Sequence, residues 1–186
     1  MQTNSHPGDQ LISDAYRAQQ IDLHETHPSY GSASVQWAPT VAALIKNFQV
    51  RSVLDYGSGK GRLLMSLKLE HPELVEFQMY EPAVTRFNVP PDPAELVCCI
   101  DVAEHVEPEY TEAFLDDLQR LTRRIAFITV HCGPAVKVLA DGRNAHLVQK
   151  PPSWWIPKLL ARFDLLECSK SPGGFVFIGH AKGGAA

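Results

Sequence analysis

The run Val53-Leu54-Asp55-Tyr56-Gly57-Ser58-Gly59-Lys60-Gly61-Arg62 decides the fold. A short apolar segment ends in an acid, turns through alternating glycines and opens an amphipathic stretch, which is the pattern of strand, tight turn and helix. Glycine suits such a turn because a side chain would keep a ligand off the backbone, and the N–H groups of the helix start point at whatever binds. Spacing separates the ligand classes. A dinucleotide turn puts its third glycine three residues after the second, where this chain has Arg62. A phosphate-gripping loop follows Gly-Lys with Ser or Thr, whereas Gly59-Lys60 is followed by Gly61.

Working outward, Val75-Glu76-Phe77-Gln78-Met79-Tyr80-Glu81 alternates apolar and polar residues and ends in a second acid, 20 residues past Gly61. Leu96-Val97-Cys98-Cys99-Ile100 is a continuous apolar run of the kind a central parallel strand needs, and it ends in Asp101. With 186 residues and 45% hydrophobic content, the chain can bury one α/β domain and is too short for two of that kind. Its net charge of −4 disfavours a nucleic-acid partner, since such proteins carry a basic face. Cys98 and Cys99 are neighbours on a strand and point to opposite faces, so they read as reduced core thiols. Residues 1–9 match no secretory or mitochondrial signal and no apolar run reaches membrane-spanning length, so a cytoplasmic protein without a membrane partner is expected.

The string apolar-apolar-Asp-x-Gly-x-Gly-x-Gly resembles motif I of the class I S-adenosylmethionine-dependent methyltransferases. That resemblance implies a Rossmann-like doubly wound α/β sheet with an antiparallel last strand. It also implies glycines passing under the amino acid portion of the cofactor, Asp55 ordering its ammonium end and Glu81 accepting from both ribose hydroxyls. Gly57, Ser58, Gly59, Gly61, Pro82, Asp101 and Val102 complete the implied S-adenosylmethionine set. Asp101-Val102-Ala103-Glu104-His105-Val106 resembles the Asp-Val-Leu-Glu-His sequence at motif IV of many small-molecule methyltransferases. Enzymes acting on exocyclic amines of nucleic-acid bases carry a proline-aromatic cluster there, so a small-molecule acceptor is implied instead. The domain reading is a helical or lid segment over 1–38, a methyltransferase domain over 39–180 and a tail over 181–186.

One stretch departs from the family pattern. Between Glu81 and the next apolar strand lie residues 82–94, thirteen residues with four prolines, too few for a helix and a strand. The third strand region of the family is therefore shortened or absent, and Asp92 or Glu95 would have to replace the usual acid near adenine. The remaining elements read as helices over 11–23, from Pro39 to Phe48, over 62–71 and over 108–121, with strands over 125–130, 165–168 and 175–178. Tyr16, His24, His27 and Tyr30 are lid candidates by the same resemblance; an ordinary surface turn is the competing reading.

In a doubly wound sheet the ligand lies outside the carboxyl ends of the strands. The loop after Val130 is the most polar and aromatic in the chain, holding His131, Lys137, Arg143, Asn144, His146, Trp154 and Trp155. Methyl transfer is an in-line displacement that needs alignment and, for a hydroxyl acceptor, proton removal, a task suited to histidine near neutral pH. His146 is the first candidate base and His131 the second, with Asp101 near the reacting centre. Tyr30, His105, Arg143, Asn144, Trp154 and Trp155 are the candidate acceptor contacts, one Trp as a stacking platform, and Lys137 or Arg143 could hold a carboxylate or phosphate. Ser153 reads as a helix N-cap with Pro157 in the first turn. His24-x-x-His27, His131 and His146 show no metal-ligand spacing, and no metal is expected. The function implied is methylation of oxygen or nitrogen on a sugar or other metabolite. The alternative is a methyltransferase-fold module that binds a protein or glycan without turnover.

Overall fold

The computed structural model describes residues 11–27, 30–70 and 76–183. Strands β1 (Ser52–Tyr56), β2 (Glu76–Tyr80), β3 (Ala94–Ile100), β4 (Thr122–His131), β5 (Phe163–Ser171) and β6 (Gly174–Ala181) form one sheet. Their order is β2-β1-β3-β4-β6-β5. The first four pair in parallel, and β6 runs antiparallel to both β4 and β5. Around them lie helices α1 (Asp14–Thr26), α2 (Ala38–Phe48), α3 (Arg62–Glu70), α4 (Thr111–Leu121) and α5 (Pro152–Arg162).

Alternation along the strands divides the core into two layers. Leu54, Tyr56, Val97 and Cys99 face α4 and α5, meeting Phe114, Leu118, Trp155 and Leu159. Val53, Leu96, Cys98 and Ile100 face α2 and α3, meeting Val41, Ile45, Leu63 and Leu67. Cys98 and Cys99 are buried free thiols on opposite faces, as the sequence implies. Sheet faces covered this way read as nearly continuous apolar runs, and β1 is buried at every position.

Several boundaries differ from the sequence reading. The first helix begins at Asp14 because the Ser13 hydroxyl accepts from the Tyr16 N–H and so caps it there. A 3₁₀ turn, Pro108–Tyr110, precedes α4. Helix α5 is capped at Pro151, so Ser153 lies within it and makes no cap, and Pro157 falls inside the helix. The expected strand residue Val75 and the expected helix stop Pro72 lie outside the described residues, as do the histidine at 71 and the glycine-alanine tail from 184.

The shortened middle is resolved as a full omission. After β2 a single 3₁₀ turn, Thr85–Phe87, leads straight back to β3, leaving β2 as a sheet edge. The Gln78 side chain holds the returning segment, accepting from the Asp92 N–H at 2.9 Å and donating to its carbonyl at 3.3 Å.

Candidate functional site

The parallel strands end around a cavity of about 490 Å³, within the size range of small-molecule sites. Its base is the glycine turn after β1. Gly57 has φ +74° and its α-carbon abuts Val102, where a β-carbon would stand 2.3 Å from a methyl group. Gly59 has φ +52° and lies under Gly31, whose carbonyl would be 3.0 Å from an added β-carbon. Glycine is needed at both by conformation and by close approach. The Gly57 and Ser58 N–H groups donate to the Tyr80 carbonyl, which ties the turn to the end of β2.

Glu81 follows β2 and lines the cavity. One carboxylate oxygen accepts from the Gly59 N–H at 3.3 Å and the other from the Ala83 N–H at 3.1 Å. Burial raises its pKa, offset by those two donors. Asp55 is buried beneath the turn with one carboxylate oxygen, Oδ2, unpartnered among the described residues. Burial first, then the nearby Glu81 charge, pushes its carboxyl up to about 7. An unpaired carboxylate in this position favours a cationic neighbour.

Of the implied cofactor residues, Gly57, Gly59, Glu81, Pro82, Asp101 and Val102 line the cavity. Asp55 near the end of β1, and Ser58 and Gly61 in the turn, are not among the cavity residues. Ser58 is buried, and Gly61 packs against Met79 and Phe87. Asp101 adopts φ +53°, a left-handed conformation costly for a non-glycine residue. It is held by Thr129, whose hydroxyl accepts from the Asp101 N–H at 3.0 Å and donates to its carboxylate at 3.1 Å. Neither substitute for the adenine-side acid fits. Asp92 turns its carboxylate to solvent, and Glu95 caps the Arg51 N–H at the opposite end of the strands.

Three histidines gather on the cavity wall. The His146 ring centroid lies 4.7 Å from that of His105 and 4.9 Å from that of His131. His146 Nδ1 is 2.7 Å from the Gly133 carbonyl and His105 Nδ1 is 2.8 Å from the Ala145 carbonyl. A carbonyl only accepts, so Nδ1 carries the hydrogen in both rings. Burial lowers both pKa values, His105 to about 3, and keeps the rings neutral. The His131 ring is flanked by two glycines: its Nδ1 lies 3.2 Å from the Gly133 nitrogen and oxygen, and Gly173 of the β5–β6 turn lies against its Nε2 edge. Beneath them Glu104, which the sequence reading passed over as part of a motif, is fully buried and accepts from the His131 N–H at 2.8 Å. A glutamate beside a strand end gave no periodic signal to mark it.

The lid candidates divide. Tyr16, His24 and Tyr30 line the cavity, whereas His27 is exposed at the end of α1. Tyr30 donates to Gln20 at 2.8 Å, Tyr16 donates to the His105 carbonyl at 2.7 Å, and Ser13 anchors the segment by donating twice to Glu107. Ile12, Tyr16 and Leu23 pack on Leu139 and Ala145, so α1 and the loop after β4 form one roof.

Four acceptor candidates are corrected. Arg143 is paired with Asp141 at 2.7 Å on the exposed outer side of the loop. Asn144 is spent on the backbone, bonding both the nitrogen and the carbonyl of Ala135 and accepting from the His146 N–H, so it positions the loop. Trp155 is fully buried between the sheet and α4, and Trp154 packs edge-on against it under the Lys158 ammonium. Neither Trp is among the cavity residues, because α5 covers the sheet face and not the strand ends. Tyr30 and His105 do reach the cavity, as does Lys137, whose ammonium has no hydrogen-bond partner among the described residues and lies 4.9 Å from the Tyr30 ring. No helix among the described residues is long and apolar enough to cross a membrane.

No protein-family profile and no curated protein sequence matches the chain. Solved structures do. A 1,6-didemethyltoxoflavin-N1-methyltransferase from Burkholderia thailandensis, bound to 1,6-didemethyltoxoflavin and S-adenosylhomocysteine, is 14% identical with a TM-score of 0.59, over 93% of this chain and 92% of that one. The DhpI complex with S-adenosylhomocysteine is 14% identical with a TM-score of 0.54, over 91% of this chain and 98% of that one. The mitomycin 7-O-methyltransferase MmcR is 13% identical with a TM-score of 0.62; the match takes in 88% of this chain and 61% of MmcR. By its sheet order, its reversed strand β6 and its overlap with these structures, the chain has the Rossmann-like fold of the class I S-adenosylmethionine-dependent methyltransferases.

Proposed function

We propose that the chain transfers a methyl group from S-adenosylmethionine to oxygen or nitrogen of a small polar acceptor. The observation that carries this reading is the joint placement of Glu81, the glycine turn and Asp101 around one cavity that also holds His105, His131 and His146. Glu81, pre-oriented by two backbone N–H groups, would receive the ribose hydroxyls. The unpaired carboxylate of Asp55 would balance the ammonium end across the turn. These residues would hold the cofactor beside a cavity roofed by α1 where an acceptor could lie, and alignment alone can supply much of the rate.

His146 is the residue that acts on the acceptor. Its donor nitrogen is committed to Gly133, so the lone pair of Nε2 is the available group, whereas His131 is flanked by Gly133 and Gly173. Lys137, whose ammonium has no hydrogen-bond partner among the described residues, supplies a cation for an anionic or carbonyl oxygen of the acceptor. Calorimetric titration with S-adenosylhomocysteine tests the cofactor half, and absence of binding would overturn the reading. For the acceptor half, His146→Ala should lower turnover by about 10²-fold or more while leaving cofactor affinity within twofold. An unchanged rate would remove His146.

A further inference from the structure

One wall of the cavity gathers a buried carboxyl and two imidazole rings whose Nδ1 hydrogens are already spent. Glu104 is fully buried; one carboxylate oxygen takes the His131 N–H, and the other, Oε2, has no partner among the described residues. His105 and His146 each spend Nδ1–H on a backbone carbonyl, which leaves Nε2 of each neutral ring as an acceptor. One oxygen of Glu104 and one ring nitrogen from each histidine lie within 4.8 Å of one another. Burial pushes the Glu104 carboxyl up to about 8, so a proton there satisfies one neighbouring acceptor at most, whereas a cation at the centre would replace that proton and satisfy all three.

We propose that Glu104, His105 and His146 bind a divalent first-row transition-metal ion. Three features favour an ion over an ordinary polar core. The ligand set, two imidazoles and a carboxylate, leaves coordination positions open, and both imidazoles line the cavity from which an exogenous oxygen can complete them. The Nδ1–H to carbonyl bonds are the outer contacts that orient metal-binding histidines. Bonds of about 2.0 to 2.2 Å at tetrahedral angles place ligand atoms roughly 3.3 to 3.6 Å apart, so a set now within 4.8 Å would draw in by about an ångström, a rotamer-scale adjustment. Two nitrogen ligands suit Mn²⁺, Fe²⁺, Co²⁺ or Zn²⁺ and suit Mg²⁺ poorly, because Mg²⁺ takes oxygen ligands. The site stands independently of the methyltransferase reading, but its role rests on that reading: the ion would anchor an oxygen of the acceptor and make it more acidic, and with its Nε2 lone pair on the ion His146 would act as a ligand and not as a free base.

The test uses the full chain, stripped with a chelator and titrated with Co²⁺ in the presence and absence of S-adenosylhomocysteine. Visible absorption and equilibrium dialysis are the readouts. One equivalent of Co²⁺ should bind with a ligand-field spectrum, be displaced by Zn²⁺ and be unaffected by tenfold excess Mg²⁺. Glu104→Gln, His105→Ala and His146→Ala should each weaken binding at least tenfold, and Arg143→Ala should not. Because Glu104→Gln could disturb the core, thermal melts accompany all variants, and His146→Ala on the cavity wall serves as the independent check. Absence of stoichiometric Co²⁺, or binding that survives His146→Ala, would overturn the site. S-adenosylhomocysteine binding to metal-resistant protein would leave the methyltransferase reading standing while the site falls. Metal binding without S-adenosylhomocysteine binding would do the reverse.

Discussion

Replacing Asp55 by asparagine should stabilise the ligand-free chain in mild alkali while weakening its hold on the cofactor. Burial, with the Glu81 charge adding to it, raises the Asp55 carboxyl from 3.8 to about 7. A shift of roughly three units at about 1.4 kcal/mol each makes the ionised form costly by about 4 kcal/mol in the folded chain. The sign comes from linkage. Between pH 4 and 7 the folded state keeps a proton that the unfolded state has released, so stability falls as pH rises through that window and levels off above it. Asparagine does not titrate, so the wild-type-minus-variant difference should move against the wild type by about 4 kcal/mol, roughly 10 °C in melting temperature for a chain of this length. Thermal melts of both proteins from pH 4 to 9 at fixed ionic strength measure it. Saturating S-adenosylhomocysteine should shrink the difference, and the variant should bind it at least tenfold more weakly. Parallel pH curves for the two proteins would refute the argument, because they would mean that Asp55 is not carrying an uncompensated charge.

Other substitutions probe Glu81, the glycine turn and helix α5. Glu81→Gln should cost about 1.5 to 3 kcal/mol of S-adenosylhomocysteine affinity by calorimetry, the range for a hydrogen bond to a charged group. Gly57→Ala would drive a β-carbon into Val102; displacement of Val102 and the adjoining Asp101 should abolish detectable cofactor binding in the same titration. Trp155→Ala should destabilise the fold by about 3 to 5 kcal/mol in urea melts, as for other large core truncations. Trp154→Ala should leave turnover within twofold once an acceptor is in hand.

Much of the fold is legible because the strands are covered on both sides and announce themselves as apolar runs. Leu96 to Ile100 shows this, and the glycines between 53 and 62 fix the turn and helix after β1. The omission between Glu81 and Ala94 is legible too, from chain length and proline alone. Helix ends are less so: Ser153 has the chemistry of a cap, but Pro151 starts the helix two residues earlier. At the site, Gly57, Gly59, Glu81 and Asp101, tied to the turn and to strand ends, border one cavity. Of the candidate acceptor residues Tyr30 and His105 border it too, whereas Arg143, Asn144 and the Trp pair do not, because they lie on a long loop and helix whose direction depends on tertiary packing. Nothing in the order of residues shows that Asp141 neutralises Arg143, or that residues 104, 105 and 146 meet, since that encounter requires the loop to fold back across β3 and β4.

The direct return from β2 to β3 has a practical corollary. Where a further strand would raise a wall, this chain has a single 3₁₀ turn, with the Arg86 guanidinium stacked on Phe87 at 4.5 Å, flanking the Glu81 end of the cavity. A ligand whose sugar rests on Glu81 would project its far end past that low rim into bulk solvent. Nucleoside analogues bearing fluorophores or affinity handles on the base should therefore be accommodated, offering a direct route to pull the protein, with whatever acceptor it holds, from a cell extract.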